Sequence, residues 1–306
     1  MSRRSALLPL IASLFALYII WGSTYFVIRV GVESWPPMMM AGLRFLTAGI
    51  ILFAFLRWRG APLPDRRALI NAAIVGVLLL SVGNGLVTVA EHQNVPSGIA
   101  AVMVATVPLF AMCFSACFGI KTRLIEWAGI GIGLVGIILL NSAGHLAGNP
   151  WGAALILIAS LSWAFGSVWG SRVSLPQGLM AGAIEMLTAG VVLLLCSQLN
   201  GERLTAMPTT AGWVALAYLI VMGSMVAISA YMYLIRSVTP AVATSYAYVN
   251  PVVAVLLGVG FAGETLSSRE WLALGVIIFA VVLVTLGKSL FPAKDSASVT
   301  QSCDKA

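Results

Sequence analysis

The chain is built from long runs that are apolar on every face, separated by short polar turns. The runs lie at residues 8–30, 36–56, 68–90, 96–119, 125–143, 150–171, 177–200, 212–235, 240–262 and 269–288. At 1.5 Å rise per residue, roughly 20 apolar residues cross a hydrocarbon core about 30 Å thick, so each run predicts one transmembrane helix. Barrel strands would instead alternate apolar and polar residues over ~10 positions. The pattern thus predicts an all-α integral membrane protein of ten transmembrane helices. Only two runs carry charge at depth: the second holds Arg44 and the seventh Glu185.

Composition agrees. The 306 residues are 60% hydrophobic and 9% charged, against ~25% charged residues in soluble domains, which excludes a water-soluble fold. The basic start Met1 to Arg4 precedes an apolar run too long for a cleaved signal, so the first span is expected to be retained. Residues 289–306 are expected to form a disordered tail, small and polar beyond residue 292.

Charge then gives orientation. Of 17 Lys and Arg, 13 fall in the amino terminus, the even-numbered connections and the tail, among them Arg57, Arg59, Arg66, Arg67 and Lys121. Arg29, Arg203 and Arg269 fall on the other face, and Arg44 is within a span. Basic residues accumulate on the cytoplasmic side, so both termini are expected there, in a bacterial-type inner membrane. The net charge of +7 is then a topology signal, and no basic stripe points to nucleic acid. Trp35, Trp58, Trp127, Trp151, Trp213 and Trp271 sit at span ends as interfacial anchors, whereas Trp21, Trp163 and Trp169 sit at mid-span depth. Cys113, Cys117, Cys196 and Cys303 show no metal-ligand spacing, so neither metal nor cofactor is expected.

The chain also repeats itself. Gly22-Ser23 recurs as Gly166-Ser167, Pro96 as Pro240, Gly119 as Gly263, Glu126-Trp127 as Glu270-Trp271 and Gly131 as Gly275, each pair 144 apart. Residues 8–143 and 150–288 are therefore expected to be two five-helix repeats. Because five is odd, the repeats must have opposite orientation, the signature of secondary transporters that rock around a midplane site.

The same residues carry a family resemblance. Tyr18 to Phe26, Arg44-Phe45, Pro96 to Pro108, Pro240 to Pro251 and Gly263-Glu264-Thr265-Leu266 followed by Glu270-Trp271 and Gly275 resemble the EamA-type branch of the drug/metabolite transporter superfamily. The resemblance implies a ten-helix basket with a central cavity lined by helices 1, 3, 4, 6, 8 and 9. It also implies efflux of amino acids, metabolites or drug-like compounds by alternating access. Sugar-phosphate exchangers of that superfamily would be expected to place Lys or Arg in the fourth and ninth spans, and here there is none. That departure argues against a phosphorylated substrate.

Candidate cavity residues follow from depth and backbone chemistry. Tyr246, Tyr248, Asn250 and Pro251 cluster in the ninth span, and Pro108 takes nearly the equivalent place in the fourth. A proline frees a carbonyl, and irregular backbone at depth survives only beside a cavity or packed protein. The alternative is a kink satisfied by Thr106 or a neighbouring helix. Trp21 and Trp163, each followed by Gly-Ser (Ser23, Ser167), and Trp169 either pack against a ligand or fill the core. Asn84 is deep enough to line a cavity, whereas Glu91-His92-Gln93-Asn94 is expected to cap and turn the chain. Arg44 is a candidate for holding helix-end carbonyls or a substrate carboxylate. Glu185, read as the one carboxylate well inside the membrane, is the proton-coupling candidate. Gly129, Gly133 and Gly136 form a small-residue face, suited to internal packing or to a homodimer. A membrane-embedded enzyme and a channel are the rival readings. The first would need convergent catalytic groups and the second a pore ring or filter, and neither is visible in the sequence. The expected partners are a small-molecule substrate and the lipid bilayer.

Overall fold

The computed structural model describes residues 3–119, 124–141, 149–237 and 246–290. Among them the structure is helical throughout: α1 (Arg3–Gly31), α2 (Pro37–Trp58), α3 (Arg66–Gly76), α4 (Gly85–His92), α5 (Ser97–Val104), α6 (Val107–Cys117), α7 (Leu124–Asn141), α8 (Pro150–Gly170), α9 (Leu179–Leu199), α10 (Thr210–Tyr218), α11 (Ala227–Ser237), α12 (Tyr246–Phe261) and α13 (Ser268–Leu290). Two stretches of π-helix join collinear neighbours: π1 (Val77–Asn84) links α3 to α4, and π2 (Leu219–Val226) links α10 to α11. Seven helices among the described residues are long and apolar enough to cross a membrane, and Trp127–Gly136 and Val249–Phe261 are shorter apolar helices. Tyr248's side chain, Pro240, His145, Cys303 and the tail beyond Leu290 lie outside the described residues.

Helix starts follow local chemistry. Pro37 opens α2 at a position whose amide hydrogen would have no partner in the helix. Asp65, Asn149 and Thr209 accept from Ala68, Gly152 and Gly212 amides at the starts of α3, α8 and α10. The fourth apolar run is interrupted at Ala105 and Thr106, one turn before Pro108, and Thr106 Oγ1 donates to the Met103 carbonyl at 2.6 Å.

Apolar residues such as Phe15 and Ile138, 64% and 66% exposed, coat the outside, as expected of a bundle whose solvent is hydrocarbon. Trp58, Trp127, Trp151, Trp213 and Trp271 are likewise exposed, but Trp35 is buried against Trp213 with ring centroids 4.8 Å apart. It is a packing residue as much as an anchor. Between α2 and α9 the backbones touch: a Cβ added at Gly49 would lie 2.7 Å from the Leu187 nitrogen. The small-residue face of α7 is taken up internally, Gly136 lying against Ile277 of α13 and Gly133 against Leu109 and Ala280.

The end of the bundle where α1 stops, here the far end, is tied by hydrogen bonds between elements. Glu202 accepts from the Met38 and Met39 amides at the start of α2 at 3.2 and 2.9 Å. Glu264 accepts from the Ser97 amide and hydroxyl and the Gly98 amide at the start of α5, at 2.6, 2.7 and 3.1 Å. Arg29 donates to the Glu91 carbonyl, and Asn149 to that of Gln93, both at 2.7 Å.

Candidate substrate cavity

The helices line a partly open cavity of about 430 Å³, within the range of small-molecule sites. It is lined from α1, α2, π1, α4, α5, the α5–α6 break, α6, α8, π2, α11 and α12. Span two therefore joins the six helices that the family resemblance implies.

The wall is mostly apolar, and its polar atoms are held from opposite halves of the chain. Arg44 is 4% exposed. Its Nε donates to Ser224 Oγ of π2 at 3.0 Å and its Nη1 to Asn84 Oδ1 of π1 at 3.3 Å, while the guanidinium carbon lies 4.7 Å from the Phe45 ring centre. These hydrogen-bond partners are neutral. A guanidinium desolvated among neutral groups offers its charge to whatever anion enters the cavity.

Both π segments supply carbonyls that helices of the other half use. Trp21 Nε1 of α1 donates to the Gly223 carbonyl of π2 at 3.2 Å, and Ser162 Oγ of α8 donates to the Leu78 carbonyl of π1 at 2.8 Å. Single-turn departures from α-helix of this kind recur at functional sites. Trp21, Tyr231 and Tyr246 form an aromatic corner, with Trp21 centroids 5.6 Å from Tyr231 and 4.9 Å from Tyr246. These separations suit tilted and edge-on contact. Asn250 is buried, and its Oδ1 has no partner among the described residues.

Of the residues singled out from sequence, Trp21, Arg44, Asn84, Pro108, Trp163, Ser167, Tyr246, Asn250 and Pro251 line this one cavity. Three do not. Ser23 is two residues from Trp21 and so points to the other side of α1, where it shares a 2.7 Å hydrogen bond with the Tyr218 hydroxyl. Trp169 is six residues beyond Trp163, about 240° further round α8. Glu185 belongs to α9, which contributes nothing to the lining, and its backbone packs against Gly76 of α3. Residues not singled out before also line it: Thr24, Tyr25, Tyr231, Ser160 and Ser224. Tyr231 and Tyr233 are two apart on α11 and so face different sides: Tyr231 lines the cavity and Tyr233 is exposed.

Residues 8–142 and 150–286 each match the EamA-like transporter family. The chain belongs to that family. Among relatives of this EamA-family chain is the "Uncharacterized inner membrane transporter YedA" of Escherichia coli strain K12, 74% identical over 288 residues and covering 94% of each chain. A "Probable amino-acid metabolite efflux pump" of Salmonella typhimurium is 28% identical over 180 residues, 56% of this chain and 55% of that one. A solved crystal structure 20% identical in sequence covers 93% of this chain and 98% of its own with a TM-score of 0.61. That likeness shows the fold alone.

Proposed function

We propose that this protein is a secondary transporter of the bacterial inner membrane that exports small organic molecules, amino acids and related metabolites foremost, by alternating access. The reading rests on one observation: a cavity in which both halves of the chain converge on a buried cation, Arg44, beside an aromatic corner. A zwitterion or carboxylate with an apolar or aromatic part matches those features. Its carboxylate would meet Arg44, its amine or amide the free Asn250 Oδ1, and its apolar part Trp21, Tyr231 and Tyr246. Pro108, Trp163, Ser167 and Pro251 complete the wall in this reading, and the names of the two relatives support both location and direction.

In the same proposal the chain crosses the membrane ten times as two inverted five-helix repeats, 8–143 and 150–288, with both termini and residues 289–306 in the cytoplasm. The far end then faces outward. A polar, neutral-partnered arginine and the absence of a base or nucleophile pair beside the cavity among the described residues favour transport over chemistry.

The test is uptake of a panel of labelled amino acids and apolar neutral compounds into proteoliposomes and inside-out vesicles. Carboxylate-bearing members are expected to be moved and their amides or esters not. Equal flux with protein-free liposomes across the panel would overturn the reading. Labelling of a cysteine at Pro62 by an impermeant maleimide in intact cells would overturn the orientation.

A further inference from the structure

At the far end one acidic side chain stands apart from every other. Glu202 and Glu264 have each oxygen engaged by helix-start amides. Glu91, in the last turn of α4, is 0% exposed, and neither carboxylate oxygen has a hydrogen-bond partner among the described residues. With His92, Gln93 and Asn94 it was expected to cap and turn the chain, and its main-chain carbonyl does so, accepting from the Asn94 amide at 3.1 Å and also from Arg29. The ionisable groups that feel its charge are Tyr25 and Arg29 of α1 and Glu264 of the segment after α12. α2, also packed on α4, brings no acid, and its buried Arg44 is held on Ser224 and Asn84; α5, α8 and π1 contribute no ionisable group, and His92, its neighbour in sequence, turns its Nδ1 to the Val32 carbonyl. Tyr25 also lines the cavity, so Glu91 lies one side chain behind the cavity wall, inside the tied end.

A bare carboxylate in such a place costs several kcal/mol of lost hydration that nothing here returns. Arg29 is committed to the Glu91 carbonyl and to Asn94 Oδ1, and Glu264 is a second acid close by. The sealed arrangement is therefore compatible with Glu91 as a neutral acid and in conflict with its anion. We propose that Glu91, and not Glu185, is the proton-binding site of the transport cycle. One proton joins a Glu91 oxygen as the far end closes; when the far end opens, water enters, the O–H bond breaks to that water, and the carboxylate is free to pair with Arg29. Closure of the outer gate thus consumes a proton that opening returns. The proposal rests on the transport reading above, but its test requires no substrate.

The test uses full-length protein with serine at each native cysteine and a reporter cysteine at Val95, which is 1% exposed in the sealed turn after α4. Labelling by an impermeant maleimide is normalised to a second reporter at exposed Met207 on the same end, which cancels the reagent's own pH dependence. Normalised Val95→Cys labelling is expected to rise about tenfold from mildly acidic to alkaline pH, as an equilibrium between sealed and open states shifts. In Glu91→Gln, which mimics the neutral acid, labelling stays low and flat; in Glu91→Asp the pH dependence returns. A Glu91→Gln protein whose labelling follows pH like the parent overturns the proposal, as does labelling that follows sodium at constant pH. A panel without flux in the parent would sink the transport reading and leave this result standing.

Discussion

In the first half, π1 meets α8 through the Leu78 carbonyl, which accepts from Ser162, and through Gly83, where a Cβ would lie 2.9 Å from the Trp163 ring. In the second half, π2 meets α1 through the Gly223 carbonyl, which accepts from the Trp21 indole, and a Cβ on Gly223 would lie 3.1 Å from both Arg44 Nη2 and Thr24 Cγ2. The two contacts match in mechanics and differ in chemistry. One is a small hydroxyl beside a rigid ring; the other joins an indole, a cation and a methyl. The lesson is that the halves divide the labour: π1 braces the cavity, whereas π2 presents the charge.

The sharpest way to break this comparison is at the residue both segments hold. Arg44→Met is expected to lower flux of carboxylate substrates at least about tenfold, because charge-assisted hydrogen bonds contribute roughly 1.5–3 kcal/mol. The thermal midpoint should move little, since removing a desolvated cation offsets its lost bonds. Arg44→Lys should not restore flux, because a single ammonium cannot reproduce the guanidinium's fork to Asn84 and Ser224. Full activity in either variant would show that the convergence on Arg44 is structural.

Next come the two glycines. Gly83→Ala forces a methyl against a ring and should cost about 1–3 kcal/mol of stability, read as a lower midpoint in detergent. Gly223→Ala meets the movable end of a guanidinium, so the cost should be smaller and appear first in transport. Equal losses would erase the distinction between brace and presenter. Smaller again are Trp21→Phe and Ser162→Ala, each leaving one π-segment carbonyl without its donor at about 1 kcal/mol; Trp21→Phe should additionally weaken transport. The smallest structural effect is expected from Asn250→Ala. Its Oδ1 has no partner to lose, so stability should hold or rise slightly while transport falls, and unchanged flux would remove Asn250 from the cavity's working surface.

Apolar length is read directly from the sequence, and seven of the ten expected spans reappear among the described residues as helices long and apolar enough to cross a membrane. The fourth-span break was legible too, since Pro108 cannot donate an amide hydrogen. The π segments were not: Val77 to Asn84 and Leu219 to Val226 have the composition of any apolar helix, and their extra residue per turn is fixed by what packs across from them. Trp21, Arg44 and Asn84, singled out by depth, line the cavity, but depth says nothing about direction round a helix, and Ser23 and Trp169 are not among its lining residues. The burial of the Glu91 side chain was not legible either. Its neighbours in sequence, His92 and Asn94, are polar and exposed, and the charged groups nearest it, Arg29 of α1 and Glu264 of the segment after α12, are both distant in sequence.

The seam between α2 and α9 has a consequence for how such a chain can change. At Gly49 and Gly190 the main chains of α2 and α9 meet directly, an added Cβ coming within 3 Å of a backbone nitrogen across the seam, so the spacing of those two helices tolerates no added atom there. Of α2 only Arg44 and Phe45 line the cavity; the other lining residues sit on other elements, none of them on α9. In the proposed alternating-access cycle, substitutions at those lining residues would retune cargo while the seam is inherited unchanged, letting one lever serve many loads.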